Sequence, residues 1–365
     1  SLASTRGNLG TVNATTDPFY TPIIQQWNVT LQRQLTRNGV IEVGYMGSAG
    51  NHLIRPVDLN APTPQEVLRA TRGVVGCDPA LNAANNPANC LNLARPFRGF
   101  GTITDRQTTA TSRYHALISS FRLRPTHGLT AQISYTYSRN LTDATNDRDA
   151  IDLPQDRTNF LPERAVSRLD RPHVFVASYV YEVPKFRSGF LGNSMMRHLL
   201  GGFEIGGITI AESGLALNRV VEGTTAVGPR GSRPDMISNP TQNIPANPLG
   251  GIPYAFNPLA FRPAAVGTFG NSPRSPFRFP RIVNTDITFA KNIDFTERYR
   301  LQLRAEFFNI FNSTQFNDVF QTIPDRLPDN IAFTSINELI KVSSFGQFFS
   351  TRRPREIQLG IKFKF

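Results

Sequence analysis

Along most of this chain apolar and polar residues alternate singly, and the alternation stops at turn-forming residues. In Gln25–Leu35, Trp27, Val29, Leu31 and Leu35 share one parity, while Gln26, Asn28, Thr30, Gln32 and Gln34 hold the other. Successive side chains of an extended strand point to opposite faces, so this pattern predicts a strand with one apolar and one polar side. Thr36-Arg37-Asn38-Gly39 follows, and its Asn-Gly pair predicts a tight hairpin into a return strand at Val40–Gly47. The same reading places strands at Arg113–Arg124, Leu129–Ser138, Pro172–Val183, Phe203–Ser213, Ile282–Lys291, Tyr299–Phe311 and Arg355–Phe365. The last alternates without a fault: Ile357, Leu359, Ile361, Phe363 and Phe365 interleave with Glu356, Gln358, Gly360, Lys362 and Lys364.

The connections carry as much information as the strands. Thr36–Gly39, Pro125–Gly128 and Asn292–Arg298 are short, and Pro184–Gly202 is of medium length. Between them lie the long segments Ser48–Ser112, Arg139–Arg171, Gly214–Arg281 and Asn312–Pro354, the last with a helical turn expected near Asn337–Lys341. Short and long connections alternate, which is the layout of an outer-membrane barrel with periplasmic turns and extracellular loops. Soluble sandwiches show no such asymmetry, and strands of about ten residues match a tilted membrane crossing. The expected fold is all-β, an antiparallel transmembrane β-barrel with long extracellular loops, leaving Phe365 at the periplasmic face. Trp27, Tyr45, Tyr135, Tyr137, Tyr179, Tyr181 and Tyr299 are expected in the interface girdles. Leu301, Leu303 and Ala305 are expected to face lipid, Leu303 near the midplane, with Gln302 and Arg304 facing the interior. Bacterial barrels close with an even number of strands, and lipid forbids an open edge. About nine strands therefore imply that residues 1–365 form the C-terminal portion of a larger barrel. A start at Ser1, with no initiator Met and no export signal, fits a mature product or a fragment.

Composition adjusts this picture in a few places. Phe, Gly and Pro number 27 each, which suits strands, turns and loops better than helices. No apolar run is long enough for a transmembrane helix. The mean hydropathy is slightly negative, as a barrel with polar lumen positions allows. The net charge of +12 is dispersed along strands and loops, as at Arg122, Arg124, Arg300, Arg304, Lys362 and Lys364. It belongs to no nucleic-acid module, so lumen walls, outer-membrane lipid and lipopolysaccharide are the expected partners rather than nucleic acid. Cys77 and Cys90 share one Pro/Asn-rich segment and, in an exported protein, read as a loop-closing disulfide. No Cys/His cluster supports zinc. Asp143, Asp147, Asp149 and Asp152 could offer oxygen ligands to calcium, but they lack the EF-hand glycine and final Glu, which favours a solvated loop. His52, His115, His127, His173 and His198 are scattered without a nucleophile motif, and Gly228–Arg233 lacks the P-loop lysine. Neither an enzyme nor a cofactor is expected.

Several words resemble the barrel of TonB-dependent outer-membrane receptors, the Oar-like branch in particular. They are Gln25-Gln26-Trp27-Asn28-Val29-Thr30-Leu31-Gln32-Arg33-Gln34-Leu35, Glu42-Val43-Gly44-Tyr45-Met46-Gly47-Ser48 and Ser134-Tyr135-Thr136-Tyr137-Ser138. Arg171-Pro172-His173-Val174-Phe175-Val176-Ala177-Ser178-Tyr179, Arg304-Ala305-Glu306-Phe307-Phe308-Asn309-Ile310-Phe311-Asn312 and the aromatic terminal strand complete the series. The resemblance implies a barrel of 22 strands, import of an unidentified nutrient of siderophore, glycan or peptide class, and coupling to the TonB complex through a plug. This chain carries no recognisable plug or TonB box, and alone is expected to be incapable of energised transport. It also implies that Phe363 and Phe365 form a recognition signal for the outer-membrane assembly machinery. Two other readings stay open: a passive porin-like channel, and a secreted soluble β-rich binding or fibre-forming protein.

Overall fold

A computed structural model describes residues 10–71, 93–145, 153–183, 201–222, 233–265, 268–295, 298–323 and 335–365. Its main feature is one antiparallel meander of nine strands, each paired with its neighbours in sequence. These are β1 (Ile23–Gln34), β2 (Gly39–Asp58), β3 (Ile103–Thr126), β4 (Leu129–Thr142) and β5 (His173–Glu182). β6 (Phe203–Glu212), β7 (Ile282–Asp294), β8 (Arg300–Phe308) and β9 (Glu356–Lys364) complete it. Two short strands flank the meander: Val12–Thr15 runs parallel to the start of β3, and Ala165–Val166 pairs with the end of β4. The sheet does not close, and every residue of β1 and of β9 is exposed.

Register carries the sequence alternation across the whole sheet. Directly paired residues share a face, so Leu31, Val43 and Ser119 lie in one row, and Phe121, Ile133 and Ala177 in another. Continuing through β6 to β9, Ile205, Phe289, Ala305 and Leu359 belong to the same face. The opposite face presents Gln32 and Glu42, Arg122 and Gln132, then Glu204, Asn292, Gln302 and Lys362. A one-residue slip would exchange the two sets, so this division fixes the register. Two glycines let aromatic rings lie flat on the apolar face. A Cβ at Gly47 would meet the Trp27 ring at 2.3 Å, and one at Gly207 would meet the Tyr179 ring at 2.6 Å.

The tight turns all fall at one rim. His127 and Gly128, with φ of 49° and 83°, make the β3–β4 hairpin, since two successive positive φ values match the strand twist. Leu301, Leu303, Ala305, Gln302 and Arg304 take the expected faces, with Leu303 a few ångströms to this side of the midplane. It pairs directly with Lys291, whose ammonium bonds the Gly201 carbonyl and stacks 4.3 Å above the Phe203 ring. A lysine on the apolar face reaches for the interface, so Ala305 and Phe289 mark the midplane better.

β2 and β3 run well past the expected bounds of Val40–Gly47 and Arg113–Arg124, and their far halves stand clear of the ten or so residues a crossing needs. Register shifts at Gly50–Arg55, with His52 at φ 52°, mark where the hairpin leaves the barrel wall. β8 ends at Phe308 rather than Phe311, because Asn309 takes φ 49° and turns its side chain onto Ser313. The expected helical turn is present at Ile336–Leu339, capped by Ser335.

The long loops are not loose. Leu217, Val220, Phe256, Phe261 and Phe277 from the β6–β7 connection pack with Val319, Ile323, Leu339, Phe345 and Phe348 from the β8–β9 connection. Phe256 is fully buried, with ring centres of Phe277, Phe345 and Phe261 at 4.7, 5.2 and 5.5 Å. Val67 and Ala94, from the β2–β3 connection, pack against Phe269. The result is a folded cap with an aromatic core of its own. Cys77 and Cys90 lie outside the described residues.

Candidate functional site

The polar face forms one wall of a concavity of about 620 Å³. Arg122 and Arg124 on β3, Gln132 on β4, Ser178 on β5, Glu204 on β6, Asp286 on β7 and Arg304 on β8 all line it. β3 and β8 are separated by four strands, so they border one space only because the sheet curls toward its polar side. The apolar side is therefore convex, as a barrel in lipid requires. Charges of both signs mix on the wall. Arg304 sits 3.3 Å from Glu306, and Asp286 accepts the Asn284 amide and the Asn309 N–H, each at 2.8 Å. Such a wall suits a polar, hydrated solute rather than an ion of one sign. A second concavity of about 600 Å³ lies at the tight-turn rim, between His127, Glu182, Asn292, Asp294 and Arg300.

Above the wall, the buried Arg233 and Arg274 and the half-buried Arg278 tie the loops together. Arg233 pairs with Glu163 at 2.9 Å with both side chains nearly inaccessible, and Gln155 bridges them through Glu163 and the Arg233 N–H. Arg274 donates to Asn218, the Glu163 carbonyl and Thr145, and Arg278 pairs with Asp170. These contacts join the β4–β5 and β6–β7 connections. A buried pair broken from one side leaves an uncompensated charge, so the Arg233–Glu163 pair in particular specifies the loop arrangement. Sequence reading placed Arg233 in a loop and did not single out Arg274 or Arg278; nothing in their spacing marks them as partners of buried carboxylates or carbonyls.

Asp143, expected in a solvated polar loop, is instead paired. It pairs with the buried Arg55 at 2.7 Å and accepts the Thr111 N–H at 2.7 Å. Arg55 also lies 4.5 Å over the Phe160 ring. Asp147, Asp149 and Asp152 lie outside the described residues, and no metal cluster occurs among those described.

At the start of the cap, burial raises the Asp58 pKa although its carboxylate accepts the Asn60 and Ile103 N–H groups. Asn60, itself buried, donates to the Phe97, Phe100 and Gly101 carbonyls and so closes this connection on itself. Thr63 and Glu66 form a capping box on helix α1 (Pro64–Thr71), with the Glu66 carboxylate accepting the Thr63 N–H at 2.7 Å. Burial opposes Glu66 ionisation, but the Thr63 bonds and Arg157 at 2.5 Å outweigh it and lower its pKa.

His198 and Gly228–Ser232 lie outside the described residues, whereas Arg233 of that segment is the buried partner of Glu163. His115 and His173 sit on the apolar face, hydrogen-bonded to Tyr45 and Tyr135. Phe363 and Phe365 lie on the apolar side of β9 at the tight-turn rim, with Phe363 stacked on Tyr299 at 6.0 Å.

An apolar convex face, a polar concave face and alternating loop lengths agree with the sequence comparison. The model of the outer membrane beta barrel domain matches residues 1–358. The chain belongs to that family. Its location is accordingly the bacterial outer membrane. Among solved structures, it is similar to the outer-membrane transporter YddB from Escherichia coli, at 10% identity and a TM-score of 0.47, over 97% of this chain and 34% of that one. It is also similar to BauA, the ferric preacinetobactin receptor from Acinetobacter baumannii, at 9% identity and a TM-score of 0.38, over 94% of this chain and 29% of that one. The chain thus spans about a third of the length of these proteins. No curated protein matches it.

Proposed function

We propose that this chain is a sector of the wall of a TonB-dependent outer-membrane receptor that imports a polar nutrient. The observation that carries the reading is the curled, mixed-charge wall under a folded cap, in a sheet whose two edges are unpaired. An unpaired edge leaves backbone N–H and C=O groups unmet in lipid, so β1 and β9 need further strands to pair with. Nine strands plus those partners make a wide barrel, and a wide barrel must be plugged or it leaks. In this reading the long loops face the outside, the tight turns face the periplasm, and a plug elsewhere in the protein meets the TonB complex.

A passive porin-like channel has the same wall without the plug. Planar-bilayer recordings of the full-length protein separate the two. The receptor reading expects no steady conductance until urea unfolds the plug, and a channel open without denaturant overturns it.

A further inference from the structure

On the apolar face, the rim nearest the long loops carries a group of basic side chains, and among the described residues no carboxylate of that face pairs with them. Arg113 and His115 on β3, Arg139 on β4 and His173 on β5 are neighbours there: His115 pairs directly with Arg139, and Tyr137 with His173. Each stands roughly ten residues up its strand from the tight-turn rim, where a crossing strand reaches the headgroups. Arg139 is exposed, and its side chain makes no hydrogen bond or ion pair among the described residues. The Arg113 guanidinium is held in place by Asn51 at 3.2 Å and the Gly50 and Ser112 carbonyls. His115 and His173 are fixed through Nδ1, at 2.7 Å from the Tyr45 hydroxyl and 2.8 Å from that of Tyr135. When each hydroxyl donates to Nδ1, the ring proton stays on Nε2 as a donor. Acidic residues around these strand ends are occupied: Asp143 by Arg55, Asp170 by Arg278 and Glu212 by Arg171. Trp27, Tyr45 and Tyr137 border the group, and Trp27 lies edge-on to His115 at 6.4 Å.

We propose that Arg139, His115, His173 and Arg113 form a binding site for the phosphate groups of outer-leaflet glycolipid. Planar guanidinium and imidazole N–H donors match phosphate oxygens, and the aromatic rings beside them suit the sugar and upper acyl region. The site rests on the orientation proposed above, with the long loops outside.

The test places the full-length protein in phosphatidylcholine vesicles carrying bisphosphorylated lipid A, or the same lipid with its phosphates removed. Lipid retained on the folded protein is read by native mass spectrometry after extraction, and folding is checked by heat-modifiable gel mobility. The wild type retains the phosphorylated lipid and not the stripped one. Arg139→Gln lowers retention about fivefold, and adding Arg113→Gln lowers it about as much again. Arg33→Gln, an equal loss of charge at the opposite rim of the same face, leaves retention unchanged. Should the double variant fail to insert, Arg139→Gln alone decides, because that side chain supports no other contact. Equal retention by Arg139→Gln and wild type, or equal retention of the stripped lipid, overturns the proposal. Loss with Arg33→Gln in place of Arg139→Gln would instead show that the barrel is oriented the other way.

Discussion

An arginine at Ile133 should destabilise this protein far more than an arginine at its neighbour, Gln132. Ile133 occupies the apolar row with Phe121 and Ala177, while Gln132 shares the polar row with Arg122 and Ser178. Ile133 stands four positions above the Leu129 end of β4; at about 3.3 Å per residue and a tilt near 40°, that is about 10 Å. The apolar band of such barrels is about 25 Å tall, so Ile133 lies close to its middle. A guanidinium there costs about 2–4 kcal/mol, reduced as far as its chain can reach toward an interface. Gln132 borders the concavity, where arginines already stand, and Gln132→Arg should stay within about 0.5 kcal/mol. The assay is urea unfolding of each variant from phospholipid vesicles, following folded protein by its gel mobility without heating. Equal costs at the two positions, or a larger cost at Gln132, would refute the assignment of faces.

Phe256→Ala should remove the centre of the cap core at about 3–5 kcal/mol, and limited proteolysis should then cut the loops while the barrel fragment keeps its folded gel mobility. The pKa of Glu66 is lowered in the folded state, so its stabilisation is present above the ordinary carboxylate range and lost as pH falls through the folded value. Acidification should therefore lower the amide-exchange protection factors of residues 65–71, referenced to the intrinsic rate at each pH, and Glu66→Gln should abolish that pH dependence. Asp58 works in the opposite sense, its raised pKa costing stability as pH rises, so Asp58→Asn should cost little in a thermal melt. Deleting Phe365 from the full-length protein should lower its outer-membrane level without changing synthesis, as measured by membrane fractionation.

The nine strands were legible because each has to present one face to lipid and one to water, which imposes strict alternation on residues such as Leu129 to Ser138. Alternation lapses where that demand ends. The outer halves of β2 and β3, through His52, Arg55 and Thr108 to Thr111, face other loops on both sides and look like loop sequence. The cap was hidden for a related reason. Phe256, Phe277, Phe345 and Phe348 are held together by long-range packing across Pro- and Gly-rich segments, and no period links them. The Lys291 opposite Leu303 is set by register, which a single strand does not display.

The most direct test of the central claim is a spin-label scan of Leu129 to Arg139 in the full-length protein, with Cys77 and Cys90 replaced by serine, reconstituted in liposomes. Collision with oxygen, which concentrates in lipid, should peak at Leu129, Ala131, Ile133, Tyr135 and Tyr137. Collision with a water-soluble nickel chelate should peak at Thr130, Gln132, Ser134, Thr136 and Ser138. Accessibility profiles without this two-residue period, or with the two reagents peaking at the same positions, would contradict a strand that divides lipid from the barrel interior.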